Sequence, residues 1–229
     1  MDTKGYFDNI YIVPILIFSV VIHEMAHGWV ALKCGDTTAR DLGRLTLNPV
    51  PHIDLFGSII VPLFSILATG RVFIAWAKPV PVNPANFSSF KRDDTLVTIA
   101  GPISNLLIAL LCSLMVIVLY YLDSNLIYQD PYQGNQFLYY IYMMFSTGIT
   151  LNVALAVFNM LPIPPLDGSH VLANLLPDEL AYRFRQIGFF GIFIILILFN
   201  YIPGFAQFFI SIISIVSEPY INLIKSFIK

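Results

Sequence analysis

The chain of 229 residues is strongly apolar, with 57% hydrophobic and only 11% charged residues. Soluble domains have about 45–50% apolar and about 25% charged residues, so this composition indicates a polytopic membrane protein and excludes a soluble globular domain. The net charge of −2 and the lack of a long basic run also exclude a nucleic-acid-binding protein.

Five apolar segments approach the roughly 20 residues that a membrane-spanning helix needs. They cover residues 10–32, 95–122, 137–161, 187–202 and 205–224. A sixth segment, 55–69, is shorter and contains Pro62, which is typical of a re-entrant or tilted element. The predicted fold is therefore all-α and polytopic, with about five spanning helices and one short segment, in a single domain over residues 1–229.

The positions of Lys and Arg predict the orientation of these segments. Seven of the twelve basic residues lie between the first two long segments, whereas the connection 123–136 has none. If segment 55–69 does not cross the membrane, every cluster of basic residues lies on one side of it. The connection 123–136, which has no Lys or Arg, then lies on the other side. This arrangement predicts an outside N-terminus and a cytoplasmic C-terminus; a crossing by 55–69 would split the basic residues between both sides.

The first apolar segment contains an H-E-x-x-H pattern formed by His23, Glu24 and His27. Residues four apart lie on one face of a helix, so the two imidazoles can bind one Zn²⁺. Glu24 lies beside them and can accept a proton from water that the metal activates. A hydrogen-bonded polar cluster between helices is the alternative, but three ionisable residues in one turn of a membrane helix favour a functional site.

A catalytic zinc ion usually has three protein ligands, and three residues are candidates for the third. They are His52, His170 and Asp167, which follows the segment 137–161 and a proline-rich turn. Segments 10–32 and 137–161 run in the same direction, so Asp167 is expected near the histidine pair, toward the cytoplasmic face. The alternative for Asp167 is a turn residue, a common use of Asp-Gly.

Two asparagines also lie in apolar surroundings at this level of the membrane. Asn105 belongs to the sequence Gly101-Pro102-Ile103-Ser104-Asn105 at the start of one segment, and Asn159 lies near the end of the next. Gly101 permits close helix approach, and either amide can make an interhelical hydrogen bond. A substrate-binding or catalytic role is the second interpretation of both asparagines.

Three motifs in this order, HEMAH, GPISN and FNMLPIPPLDG, resemble the site-2 protease family of intramembrane metalloproteases. Residues 44–54 are similar to its compact prokaryotic branch, which lacks PDZ and CBS domains. The resemblance implies one zinc ion bound by His23, His27 and Asp167, Glu24 as the general base, and Asn105 and Asn159 beside the substrate or supporting the transition state. For His52 it leaves open a loop hydrogen bond, a contact to the zinc ligands or a gating role.

The resulting hypothesis is a zinc metalloprotease of a prokaryotic inner membrane, with its active site toward the cytoplasm. It would hydrolyse peptide bonds within or near the transmembrane segment of a membrane protein, so its partners are that substrate and the lipid bilayer. Residues 71–82 are rich in strand formers and are expected to form a membrane-embedded β-like loop that holds unwound substrate; an ordinary surface loop is the alternative.

Two other functions use the same residues without catalysis. One is a membrane metal-binding or transport protein, and the other is a pseudoprotease that only binds helices. Transporters place ionisable groups on several helices near the midplane, often in repeated halves, whereas here these groups cluster once. Glu24 is also unnecessary in a pure binding site, so the enzyme is the favoured hypothesis.

Overall fold

The computed structural model describes residues 11–61, 76–123 and 135–228. These residues contain α-helices and short 3-10 and π turns, and no strand occurs among them. The α-helices are α1 (Ile12–Lys33), α2 (Thr38–Asp41), α3 (Phe90–Leu122), α4 (Gln136–Asn159), α5 (Asp167–Leu175), α6 (Asp178–Arg185), α7 (Gly191–Tyr201) and α8 (Phe205–Phe227). The shorter elements are Val50–His52, Leu55–Ile60, Pro84–Asn86 and Gly188–Phe190.

Among the described residues, four helices are long and apolar enough to cross a membrane: α1, α3, α4 and α8. This confirms an all-α polytopic membrane protein. The predicted span 187–202 corresponds to α7, whose 11 residues make it about 16 Å long. It forms a fifth candidate span only together with α6, across a bend of 70°.

Two sequence predictions fall mostly on residues outside the described ranges. Of the short segment 55–69, only 55–61 is described, and Leu55–Ile60 forms a π-helix. Of the β-like loop 71–82, only 76–82 is described, and those residues form no strand. The chain divides into two compact units, Met1–Ser19 with Pro102–Lys229 and Val20–Gly101, and the single domain stays a prediction.

In the first unit, a close approach of three helices is centred on Gly148 of α4. A Cβ atom at this position would lie 2.9 Å from Cys112 Sγ on α3 and 3.0 Å from Ile15 Cγ1 on α1. The neighbouring Val116 and Val153 are buried. Small residues at such contacts let membrane helices pack by van der Waals attraction, where no hydrophobic effect drives their association.

Helices α4 and α8 run antiparallel within this unit. The Phe158 and Phe209 rings are 6.2 Å apart, which joins the end of α4 to the start of α8. At the opposite end, the Tyr121 hydroxyl of α3 donates a 3.1 Å hydrogen bond to the carbonyl oxygen of Phe227. The end of α8 therefore lies beside the end of α3.

Helix α7 stays at the other end of this unit, where α4 ends. Its first residue, Gly191, packs against the carbonyl of Pro164, and its Phe199 ring lies 6.4 Å from Phe158. The end of α8 lies beside the end of α3, which favours a C-terminus on the side of the connection that follows α3. The sequence predicted a C-terminus on the opposite side, and its orientation stays a prediction, because α6 and α7 together remain a candidate fifth span.

This topology predicts the labelling of single cysteines introduced into a Cys34→Ala, Cys112→Ala background. Cysteines at Asn135 and Ser226 should both react with a membrane-impermeant maleimide added to intact cells, and a cysteine at Ser88 should react only after permeabilisation. Labelling is measured by the gel shift of the modified protein. If the cysteine at Ser226 instead reacts only after permeabilisation, as the cysteine at Ser88 should, a fifth crossing exists and the packing of α7 against the end of α4 is incorrect.

Candidate metal centre

The H-E-x-x-H residues occupy one turn of α1, with His23 buried and His27 partly buried. Their Nε2 atoms are 3.1 Å apart. Two ligands of a tetrahedral zinc ion with bonds of 2.0–2.1 Å are about 3.3 Å apart. The two imidazoles therefore have the separation that a shared zinc ion requires.

A backbone carbonyl fixes the tautomer of His27. Its Nδ1 atom lies 2.7 Å from the carbonyl oxygen of Val97 on α3. A carbonyl oxygen only accepts hydrogen bonds, so Nδ1 carries the proton, and in the neutral imidazole Nε2 is then the nitrogen with the lone pair. This contact fixes the orientation of the ring, as supporting hydrogen bonds do for histidine ligands at known zinc sites.

Gly101 of α3 lies directly against the two imidazoles. A Cβ atom here would collide with His27 Nε2 and lie 2.6 Å from the Cε1 atoms of His23 and His27. The sequence predicted that Gly101 permits close helix approach, and the structure shows that the approaching groups are the histidine rings. Any side chain at this position would displace the rings from their present geometry.

We expect Gly101→Ala to weaken zinc binding by about 10–100-fold, the range seen when groups that orient metal ligands are altered. Zinc affinity is measured by competition with a chromophoric chelator on the purified protein. The control is Ile103→Ala, two residues along the same helix, where the side chain is 48% exposed. Equal zinc affinity in Gly101→Ala and wild type would show that the rings can move without cost.

The Glu24 carboxylate is held by a backbone amide that the sequence did not reveal. The N–H of Val80 donates a 2.7 Å hydrogen bond to Glu24 Oε2. The chain around Val80 is itself fixed, because the Lys78 amide donates to the His52 carbonyl at 2.9 Å. Arg44 Nη2 donates to the carbonyl oxygens of Lys78 at 2.9 Å and of Pro79 at 3.1 Å.

His52 lies in the loop that supports this segment and is 2% exposed. Its Nε2 atom donates a 3.0 Å hydrogen bond to the carbonyl oxygen of Thr46. The side chain therefore makes the loop hydrogen bond that was one of its three interpretations, and its backbone carbonyl holds Lys78. A gating role for His52 stays a prediction.

Asp36 is a fully buried carboxylate just beyond the end of α1. Gly35 has φ of +103°, and the Gly35 and Asp36 amides donate to the carbonyls of Leu32 and Ala31, which is a Schellman motif. Burial alone would raise the pKa of Asp36, but hydrogen bonds from Thr38 and from residues 83 and 86 outweigh it and lower the pKa below its usual value.

The third predicted ligand, Asp167, belongs to the other unit and is the first residue of α5. A carboxylate is favourable there because the helix N-terminus carries a partial positive charge. The next residue, Gly168, packs against the carbonyls of Met160 and Leu161, so this Asp-Gly pair begins a helix and closes the proline-rich loop. His170 is exposed one turn later.

The two predicted asparagines make hydrogen bonds within the same unit. Asn105 Nδ2 donates to Asn152 Oδ1 at 3.2 Å, joining α3 to α4, and Asn152 Nδ2 donates to the Gly148 carbonyl at 2.9 Å. Asn159 Nδ2 donates to the Leu155 carbonyl of its own helix at 3.0 Å. Asn105 thus makes the interhelical hydrogen bond that was one of its two interpretations, and a role beside substrate stays a prediction for both.

A comparison with protein families gives a match to peptidase family M50 over residues 11–199. The chain belongs to this family. The matched range includes the H-E-x-x-H residues and Asp167, and membership confirms the resemblance to the site-2 proteases that the three motifs indicated.

Curated relatives of this M50 peptidase carry consistent names. A Bacillus subtilis protein named "Putative zinc metalloprotease YwhC" is 38% identical over 189 residues, which cover 82% of the chain and 80% of that protein. Proteins named "Putative zinc metalloprotease Rip2" are 27% identical in Mycolicibacterium smegmatis and 28% identical in Mycobacterium tuberculosis H37Rv. These matches cover 80% of the chain and 63% and 64% of the respective relatives.

No solved structure matches the chain. Family membership and the names of its relatives establish a zinc metalloprotease at the level of the M50 family.

Proposed function

We propose that the chain is an intramembrane protease that cuts peptide bonds within or near the transmembrane segment of a membrane protein. The observation that carries this proposal is the imidazole pair of α1, whose Nε2 atoms are 3.1 Å apart within an apolar helix of membrane-spanning length. A polar pair at metal-binding separation is costly in such a helix and points to function. Membership of family M50 supports the hydrolytic chemistry.

We assign one zinc ion per chain to His23, His27 and Asp167. Two neutral imidazoles and one carboxylate are a common ligand set for catalytic zinc, leaving a position for water or substrate. The ion would supply Lewis acidity that polarises the scissile carbonyl and acidifies water. The contact between His27 Nδ1 and Val97 supports the assignment, because it makes Nε2 the unprotonated nitrogen of the neutral ring.

Glu24 is the proposed general base. Its carboxylate follows His23 directly and is oriented by the Val80 amide, so it lies beside the proposed metal position. In this role it accepts a proton from the attacking water and passes it to the leaving amine. The carboxylate is what separates the proposal from a metal-transport protein or a helix-binding pseudoprotease, since neither needs a proton acceptor at this position.

The substrate is proposed to be a single membrane-spanning helix that unwinds before cleavage, because a helix keeps its carbonyls hydrogen-bonded and shielded. Asn105 and Asn159 remain candidates for contacts with the unwound chain. The excess of Lys and Arg in the connection between α1 and α3 supports a cytoplasmic site in a prokaryotic inner membrane.

A coexpression screen tests the proposal. The chain, or its Glu24→Gln variant, is expressed with a panel of single-span membrane proteins that carry a tag at each end. Cleavage of at least one panel member by wild type and not by the variant is the expected result. A panel that is cut equally by both forms would contradict the proposed role of Glu24.

A further inference from the structure

The Val80 amide that contacts Glu24 is anchored on both sides along the chain. On the N-terminal side, Arg44 Nη2 holds the carbonyl oxygens of Lys78 and Pro79. On the C-terminal side, Asp36 Oδ2 accepts a 2.7 Å hydrogen bond from the Asn83 amide. The segment is therefore fixed at points one to three residues away from the group that touches the carboxylate.

Asp36 makes the larger set of these anchoring contacts. Its Oδ1 atom accepts from Asn86 Nδ2 at 2.7 Å, from the Thr38 amide at 3.1 Å and from Thr38 Oγ1 at 2.5 Å. The side chain is fully buried, so these donors replace the water that would otherwise solvate the charge. A single carboxylate thus joins the end of α1 to residues 83–86.

We propose that Asp36 is a positioning residue for Glu24: it holds residues 83–86 so that the Val80 amide binds one carboxylate oxygen and leaves the other free to accept the proton. This inference rests on the proposed role of Glu24 as the base. Among the described residues, Oε2 accepts the Val80 hydrogen bond and no partner is found for Oε1. In the proposed role of Glu24, Oε1 is then the oxygen left for proton exchange with water and the leaving group.

The position of Asn83 determines the position of Val80 because the chain between these two residues is short and stiff. Pro79 and Pro81 flank Val80, and a proline ring fixes φ while restricting the residue before it to extended conformations. A displacement at Asn83 cannot be absorbed by free rotation over these few bonds. It moves the Val80 amide, and a shift of about 1 Å in a catalytic group can cost about 100-fold in rate.

Asp36→Asn tests the positioning role of Asp36 because the substitution preserves the shape of the side chain. An amide offers one acceptor oxygen, while both carboxylate oxygens of Asp36 accept hydrogen bonds. If the amide oxygen of the introduced asparagine takes the place of Oδ1, the side-chain NH₂ group takes the place of Oδ2 and faces the Asn83 amide. Both groups are donors, so the hydrogen bond to Asn83 is lost. The opposite orientation loses the links to Asn86 and Thr38.

The matched control is Asp41→Asn, five residues later, where the carboxylate is exposed and accepts from Thr37 and Arg40. Both variants are purified with bound zinc and assayed on a substrate found in the coexpression screen. We expect Asp36→Asn to lower kcat by about 10–100-fold, with KM and zinc content per chain changed less than about twofold. Asp41→Asn should match wild type in all three.

A second readout does not depend on cleavage. Val80 has the one exchangeable backbone amide between Pro79 and Pro81, so hydrogen–deuterium exchange reports directly on its bond to Glu24. The amide should be protected in wild type and in Glu24→Gln, whose amide oxygen still accepts. It should exchange at least about tenfold faster in Glu24→Ala and in Asp36→Asn, and remain protected in Asp41→Asn.

The two measurements separate this inference from the proposed function. If wild type cleaves no better than Glu24→Gln, the proposed function fails whatever the exchange of Val80. If wild type cleaves but Val80 exchanges equally in wild type, Glu24→Ala and Asp36→Asn, the positioning role of Asp36 is overturned. An Asp36→Asn protein that loses zinc and folded fraction together, with wild-type kcat per zinc-loaded chain, would show that Asp36 acts only on stability.

Discussion

Cleavage by Glu24→Gln is expected to fall by about 10²–10⁴-fold, the usual contribution of a positioned base. Glutamine keeps the shape of the side chain and can still accept from the Val80 amide, but it cannot take up a proton. The fold and zinc content should therefore match wild type. The measurement is an immunoblot of a tagged single-span substrate, with mass spectrometry of the fragments.

The control for this change is Glu179→Gln on α6, where the carboxylate is exposed and pairs with Arg183. It should cleave as well as wild type. Cleavage sites should lie in the cytoplasmic half of the substrate span, and helix-breaking residues placed there should increase the rate because they lower the cost of unwinding. Undiminished cleavage by Glu24→Gln, in a preparation free of other proteases, would remove the proposed mechanism.

Loss of zinc is the second large effect that we expect, in His23→Ala, His27→Ala and Asp167→Ala. Each change removes one of three proposed protein ligands, and two remaining ligands bind the ion weakly under dialysis against a chelator. Zinc per chain, measured by elemental analysis of purified protein, should fall from one to near zero. Cleavage should be lost in parallel.

His170→Ala is the control for Asp167→Ala because His170 lies one turn away on α5 and is exposed. It should retain zinc and activity. Full zinc in Asp167→Ala, together with loss in His170→Ala, would make His170 the third ligand. Helical circular dichroism of all four variants establishes that metal loss is not a consequence of unfolding.

The sequence predicted well those features of the fold and the site that depend on the spacing of residues close together in the chain. The H-E-x-x-H pattern placed two imidazoles on one face of a helix, and apolar run length identified α1, α3, α4 and α8. The run 187–202 does not form one continuous helix of that length: a separate 3-10 turn occupies Gly188–Phe190, and α7 begins only at Gly191.

The contacts that sequence missed are non-local and involve backbone atoms. The Val80 amide is 56 residues from Glu24, and an amide leaves no residue-type signal that a pattern could detect. Asn152 was detectable in principle, because it is a polar residue inside an apolar helix, as Asn105 is. Asp36 also carried a signal, since it follows a glycine at the end of a helix, but that signal predicted a helix end and not its partners.

Helix α3 has one consequence for the membrane itself. Its 33 residues extend about 50 Å, well beyond a hydrocarbon core of about 30 Å. If Leu122 marks one boundary of the core, the other boundary falls close to Gly101, which touches the histidine rings. The site would then be sensitive to hydrophobic mismatch: thin bilayers would leave the histidines near the headgroups, and thick bilayers would draw them under the surface and move the cut along the substrate.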